Sequence, residues 1–182
     1  KPRVFRLESD KALINRLGFN NDGLDLVSDR LKRNAPNGFL GANIGPNKSS
    51  DNRVEDYLNC LDKIHSLVNY ITINISSPNT PGLREFHDEK ILQSLLQKIT
   101  EFTKKKNIKS PLTLKVSPDI KESEISNIIE LVKKFRINGV IISNTTDTNR
   151  EKLVGKNKNE EGGLSGEPLN KLSNNLIKKF YK

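Results

Sequence analysis

The chain has 182 residues, 34% of them hydrophobic, enough apolar material for the core of one ordinary domain. Its longest apolar runs, such as Val140-Ile141-Ile142, fall far short of the ~20 residues that span a bilayer, and a single cysteine, Cys60, excludes an internal disulfide. The net charge of +9 admits an anionic partner, but the lysines are dispersed, aromatics make up 5%, and no arginine cluster or aromatic platform is present, so nucleic acid is not an expected partner.

Residues 1 to 38 read as an excursion with a leading helix. Inside it, Asn15-Arg16-Leu17-Gly18-Phe19-Asn20 combines amides, a glycine and one aromatic ring without clear periodicity, and by itself is a loop. Phe39-Leu40-Gly41-Ala42-Asn43-Ile44 predicts a strand, and residues 51 to 68 a helix with Val54, Tyr57, Leu58, Leu61 and Ile64 on its apolar stripe. Cys60 sits one position off that stripe and reads as a partly buried, inert thiol.

The next strand, 70 to 76, is β-branched and aromatic and ends in polar groups. Asn74 lies between Ile73 and Ile75, where an unpaired amide costs ~1–3 kcal/mol. A bound polar ligand would satisfy it. An Asx or Ser/Thr turn explains Ser76 to Thr80 without any ligand.

A helix over 88 to 105 follows, then a strand over 111 to 116 in which Lys115 alternates with Leu114 and Val116. A cation there is a natural partner for an anion or an electron-rich ring; a solvated strand-end lysine is the plainer reading. Then come a helix carrying Ile125, Ile128, Ile129, Val132 and Phe135, and a strand over 139 to 143. The charged stretch 147 to 161 looks like a mobile loop, Gly162-Gly163-Leu164-Ser165-Gly166 a glycine-rich loop, and 168 to 180 a last helix.

Strands alternating with helices imply right-handed crossovers and a parallel α/β sheet, either doubly wound or a (β/α)8 barrel. Polar residues stand near the C-terminal end of four successive strands: Asn43, Asn74, Lys115 and the run Ser143-Asn144-Thr145-Thr146. A barrel needs that on one rim, whereas a doubly wound sheet gathers its ligand at one switch point, so the expected fold is a partial barrel with about four of eight strands. The chain begins at Lys1 and contains no methionine, and reads as the central portion of a longer single domain. No metal site is expected: His65 and His87 lack partner spacing and read as helix-surface or helix-end residues. No phosphate loop, dinucleotide fingerprint or nucleophile elbow is present.

Taken together, the motifs resemble the class 2, quinone-dependent dihydroorotate dehydrogenases. The resemblance runs in order through Arg3-Val4-Phe5-Arg6, Asn15 to Asn20, Gly41-Ala42-Asn43-Ile44-Gly45, Asn74 to Arg84, Leu114 to Asp119, Ser143 to Thr146, and Gly162 to Pro168. It implies FMN as cofactor in a barrel mouth, and oxidation of dihydroorotate to orotate with a quinone as final acceptor, in pyrimidine biosynthesis. By resemblance Ser77 is the general base, with Thr80 as its relay through water. Asn15, Arg16, Leu17, Gly18, Phe19, Asn74, Asn79, Asn144 and Thr145 would hold the substrate, Leu17 through its backbone. Asn43, Asn74, Lys115, Ser143 and Gly166 would contact FMN. The family's early substrate-binding lysine and quinone-admitting helices would lie before Lys1, and its flavin-phosphate loops beyond Lys182. The expected location is peripheral on a membrane, at the cytoplasmic face of a bacterial inner membrane or at the mitochondrial inner membrane. A flavin oxidoreductase acting on another dihydropyrimidine and a basic anion-binding module are the alternatives.

Overall fold

The computed structural model describes residues 1–34, 36–80 and 82–181. Two sheets share the work. β3 (Gly41–Ile44), β4 (Tyr70–Asn74), β5 (Leu112–Val116) and β6 (Gly139–Ile142) lie side by side in chain order, all parallel. Between and after them run α2 (Arg53–Ile64), α3 (Glu89–Lys105), α4 (Glu122–Lys134) and α5 (Glu167–Tyr181), preceded by α1 (Leu24–Arg33). Each helix packs on the next. Because strand order never reverses and the helices form one continuous layer, there is no switch point, and the arrangement is part of a (β/α)8 barrel.

Ile71, Ile73, Leu112, Leu114 and Val116 face the helices and are buried against Tyr57, Leu61, Leu92, Leu95, Leu96, Ile99 and Ile128. The alternate positions Asn43, Thr72, Asn74, Thr113 and Lys115 therefore point to the other, concave side. Side-chain caps set two helix starts. The Asn52 side chain accepts from Glu55 N–H at 3.2 Å, and that of Asp88 accepts from Lys90 N–H at 3.0 Å.

The second sheet is the part that periodicity did not predict. β1 (Val4–Leu7) and β2 (Ala12–Asn15) form a hairpin, and β2 pairs antiparallel with β7 (Gly163–Gly166), Ile14 opposite Leu164. Two expectations are thus corrected. The glycine-rich segment 162 to 166 is mainly a strand, and the stretch 147 to 161 is anchored. Leu153 is buried with Leu7, Ala12, Ile14 and Leu164 in a small second core. The Asp10 carboxylate accepts from the N–H groups of Val154 and Gly155 at 2.9 and 2.8 Å. Arg150 donates to the carbonyls of Glu160 and Gly162. The Asp10 bonds cross to the beginning of the chain, so only the folded sheet supplies them, while the Arg150 bonds pin the stretch to its own end.

Candidate active site

Polar groups from several segments meet where β4 stops. Asn74 is buried, and its backbone carbonyl accepts from the hydroxyl of Tyr57, on α2, at 2.7 Å. Tyr57 is itself fully buried, and its ring meets Phe86 edge-on at 6.0 Å. Desolvation holds its phenol protonated far above the usual range, as a donor must be.

Beyond Asn74 the chain turns on its own side chains. Ser76 N–H donates to Asn74 Oδ1 at 3.0 Å, and Asn79 N–H donates to Ser77 Oγ at 3.2 Å. The turn reading of Ser76 to Thr80 is therefore correct as far as it goes. Ser77 and Thr80 are both buried. No hydrogen bond joins their hydroxyls directly among the described residues. Pro81, inside the same motif, lies outside the described residues.

Three other segments converge here. Asn79 Nδ2 donates to the carbonyl of Asn15 at 3.3 Å, which brings the end of β2 to the Ser77 loop. Asn144 Nδ2 donates to Ser76 Oγ at 2.9 Å, which brings in the loop after β6. A Cβ on Gly163 would sit 2.6 Å from Thr145 Cβ and 3.2 Å from Pro78 Cγ, so only glycine lets β7 approach both loops.

Lys115 is half-buried on the concave face beside Asn74, its register partner, and burial alone lowers its pKa. Among the described residues no carboxylate lies within ion-pair distance of it. Below the pair, Thr72 and Thr113 share a hydroxyl contact at 2.9 Å. Strand alternation alone places both threonines on this face, a signal that polar-rim reasoning had passed over. Asn43 is exposed on the same face. A cleft of about 1540 Å³ runs from Asn43 past Phe19 to Asn79 and Thr80, with Leu24, Val27 and Cys60 on its apolar flank. Desolvation pushes the Cys60 thiol up to about 11, which keeps it protonated and inert at neutral pH.

Other expected residues sit as follows. The Arg16 guanidinium turns to Glu160 at 2.9 Å, to the Glu161 carbonyl and to the Phe5 ring. Leu17 and Gly18 are exposed, and Gly18 and Phe19 both take positive φ. Ser143 Oγ donates to the Asn144 carbonyl at 3.1 Å and meets Ser173 Oγ of α5 at 3.4 Å. Gly166 closes β7 with φ +99, where a side chain would collide with the Lys11 backbone, so its glycine has a structural reason.

Arg84 stands in the 3₁₀ turn that follows the Ser77 loop. Its two terminal nitrogens reach Asp119 at 2.9 Å and Asp147 at 2.8 Å, while Asp119 also accepts from the hydroxyls of Thr146 and Thr148. One guanidinium thus ties the loops after β4, β5 and β6. Burial pushes the Asp147 carboxyl up, but the hydrogen bond and charge of Arg84, with help from Asp119, more than offset this and hold it below the usual carboxylate range. His87, at the end of the 3₁₀ turn Leu83–His87, is buried rather than on a helix surface. Among the described residues no group of His, Cys, Asp and Glu is arranged to hold a metal.

The family model described as "Dihydroorotate dehydrogenase" matches residues 1–182. A relative from Christiangramia forsetii named "Dihydroorotate dehydrogenase (quinone)" is 46% identical over 180 residues, covering 98% of this chain and 52% of its own length. One of the same name from Coxiella burnetii is 43% identical, covering 100% and 54%. A ligand-free crystal structure of the DHODH of Eimeria tenella superimposes with a TM-score of 0.93 at 33% identity, covering 100% of this chain and 57% of that one. The chain therefore spans about half the length of the relatives it matches.

Proposed function

We infer the function from a premise: the chain belongs to the dihydroorotate dehydrogenase family, which it matches from end to end. On that basis the protein of which these residues are part oxidises dihydroorotate to orotate, with FMN as the immediate and a quinone as the final acceptor, in pyrimidine biosynthesis. The observation that carries the reading is the convergence of Ser77, Asn79, Asn144 and Asn15 at the end of β4.

The residues present fit a flavin. Lys115 is a cation on the concave face, half-desolvated and without a carboxylate partner among the described residues, and Asn74 and Asn43 stand on the same side. That set suits a planar heterocycle that gains negative charge on reduction. Bound FMN supplies the acceptor for the hydride that leaves C6 of the substrate. Lys115, Asn43 and Asn74, with Ser143 and Gly166, are the residues of this chain assigned to hold it.

The protein's own task is the proton. Ser77 takes the proton from C5 of dihydroorotate, and because a serine hydroxyl is a poor base at neutral pH, it passes its own proton on through Thr80 and water. Both hydroxyls are buried, so bulk water does not compete for the exchange. Asn15, Asn79, Asn144 and Thr145, with Asn74 and the backbone of Arg16 to Phe19, hold the ring and its carboxylate. Quinone use implies peripheral association with a membrane; no helix among the described residues is long and apolar enough to cross one.

The test is anaerobic mixing of the full-length flavoprotein with dihydroorotate, followed by a soluble quinone. Bleaching of the flavin reversed by quinone is the expected result. A yellow protein that ignores dihydroorotate would sink the substrate assignment. Ser77→Ala should retain FMN and lose most of the bleaching rate.

A further inference from the structure

Ser76 is fully buried at the centre of the site and has no part in the proton transfer just described. Two backbone N–H groups, which can only donate, decide what it does. Ser76 N–H points at Asn74 Oδ1 at 3.0 Å, so the oxygen of that carboxamide is turned inward. Thr145 N–H points at Asn144 Oδ1 at 2.7 Å, so the oxygen of the second carboxamide is also committed. Between them stands Ser76 Oγ, 2.7 Å from Asn74 Oδ1 and 2.9 Å from Asn144 Nδ2. Its one proton must go to Asn74, and its lone pair must accept from Asn144. The chain of bonds therefore has one direction: Thr145 N–H to Asn144, Asn144 to Ser76, Ser76 to Asn74.

At the end of that chain both carboxamide oxygens are consumed. Asn74 Nδ2 has no acceptor among the described residues, and Asn144 Nδ2 keeps a second N–H. We propose that Ser76 is a positioning and specificity-determining residue, which locks the Asn74 and Asn144 carboxamides so that they offer only N–H donors. The site then takes a ligand edge carrying acceptors only, carbonyl or carboxylate oxygens, and rejects one that presents an amino group. The proposal deepens the dihydroorotate reading and rests on it. A free carboxamide could turn to serve either kind of edge; a locked one leaves the wrong ligand with donors facing donors, the mismatch that binding sites punish most.

The experiment compares two probes on the full-length flavoprotein by calorimetric titration: orotate, and its analogue with one ring carbonyl replaced by an amino group. The wild type should prefer orotate. Ser76→Ala should weaken orotate by about 10-fold and bring the ratio of the two affinities down by a similar factor, because Asn74 is then held by the backbone N–H of residue 76 alone and Asn144 loses its acceptor, so both carboxamides turn more readily. Ser76→Thr, which keeps the hydroxyl, should restore the ratio. Should the alanine variant fail to fold, Ser76→Cys retains the volume with a much weaker donor and carries the same comparison. An unchanged ratio overturns the proposal, whether both ligands weaken equally or neither does, since equal weakening is what a merely structural serine would produce. Flavin bleaching by dihydroorotate in the wild type is read separately, so failure of the substrate assignment shows there, apart from any effect of Ser76.

Discussion

Replacing Arg84 with methionine removes the charge and the fork while keeping most of the volume. Removing one partner of a buried ion pair costs ~3–5 kcal/mol. Here the Arg84 and Asp119 side chains are 25% and 11% exposed, so the pair falls short of full burial. Asp119 also keeps the hydroxyls of Thr146 and Thr148 and the N–H of Asp147 after the arginine is gone. The Asp147 arm is 49% exposed and contributes less than ~1 kcal/mol. Together these place the loss at ~2 kcal/mol. In urea unfolding of the full-length protein at pH 7, with a slope of ~2 kcal/mol/M, the midpoint should fall by ~1 M. Arg84→Lys can remake only one of the two contacts and should recover about half. A loss under ~0.5 kcal/mol for Arg84→Met would refute the idea that this guanidinium holds the three loops together.

Tyr57→Phe strands the Asn74 carbonyl and should cost ~1–2 kcal/mol in the same assay; a smaller loss would show that another donor replaces the phenol. Gly163→Ala must push Thr145 or Pro78 away, and should weaken orotate binding at least ~10-fold, whereas wild-type affinity would mean that the loops have slack. Burial, aided by the Arg84 charge, lowers the His87 pKa from 6.5 to about 4. Below pH 6.5 the unfolded chain takes up a proton that the folded one refuses. Stability should therefore fall by up to ~3 kcal/mol as pH drops from 6.5 to about 4. His87→Gln should flatten that part of the pH profile, and an unaltered slope would remove His87 as its source.

The four βα units were legible because each buries one face against a helix layer, and that burial writes its period into Ile71, Ile73, Leu112, Leu114 and Val116. Their rim residues followed from the same alternation. The hairpin and β7 were not legible, for two different reasons. A four-residue strand such as Val4–Leu7 is too short to show a period, and Gly163–Gly166 is half glycine, which local preference reads as loop. Only pairing with residues about 150 positions away makes that segment a strand, and no local pattern encodes such a partner. The amide directions around Ser76 were hidden for a similar reason. They depend on Thr145, far along the chain, and on which way a backbone N–H happens to point.

Ile14 faces Leu164 across 150 positions. During synthesis at ~5–20 residues per second, β2 must wait roughly 8–30 s before its partner leaves the ribosome. Over that interval Ile14 and Leu7, fully covered in the finished sheet, have nothing of their own to cover them. The hairpin that carries Asn15 thus docks well after its own synthesis. The βα units behind it close against their neighbours as they emerge. The loop after β2 consequently takes its final place only once β7 has been made.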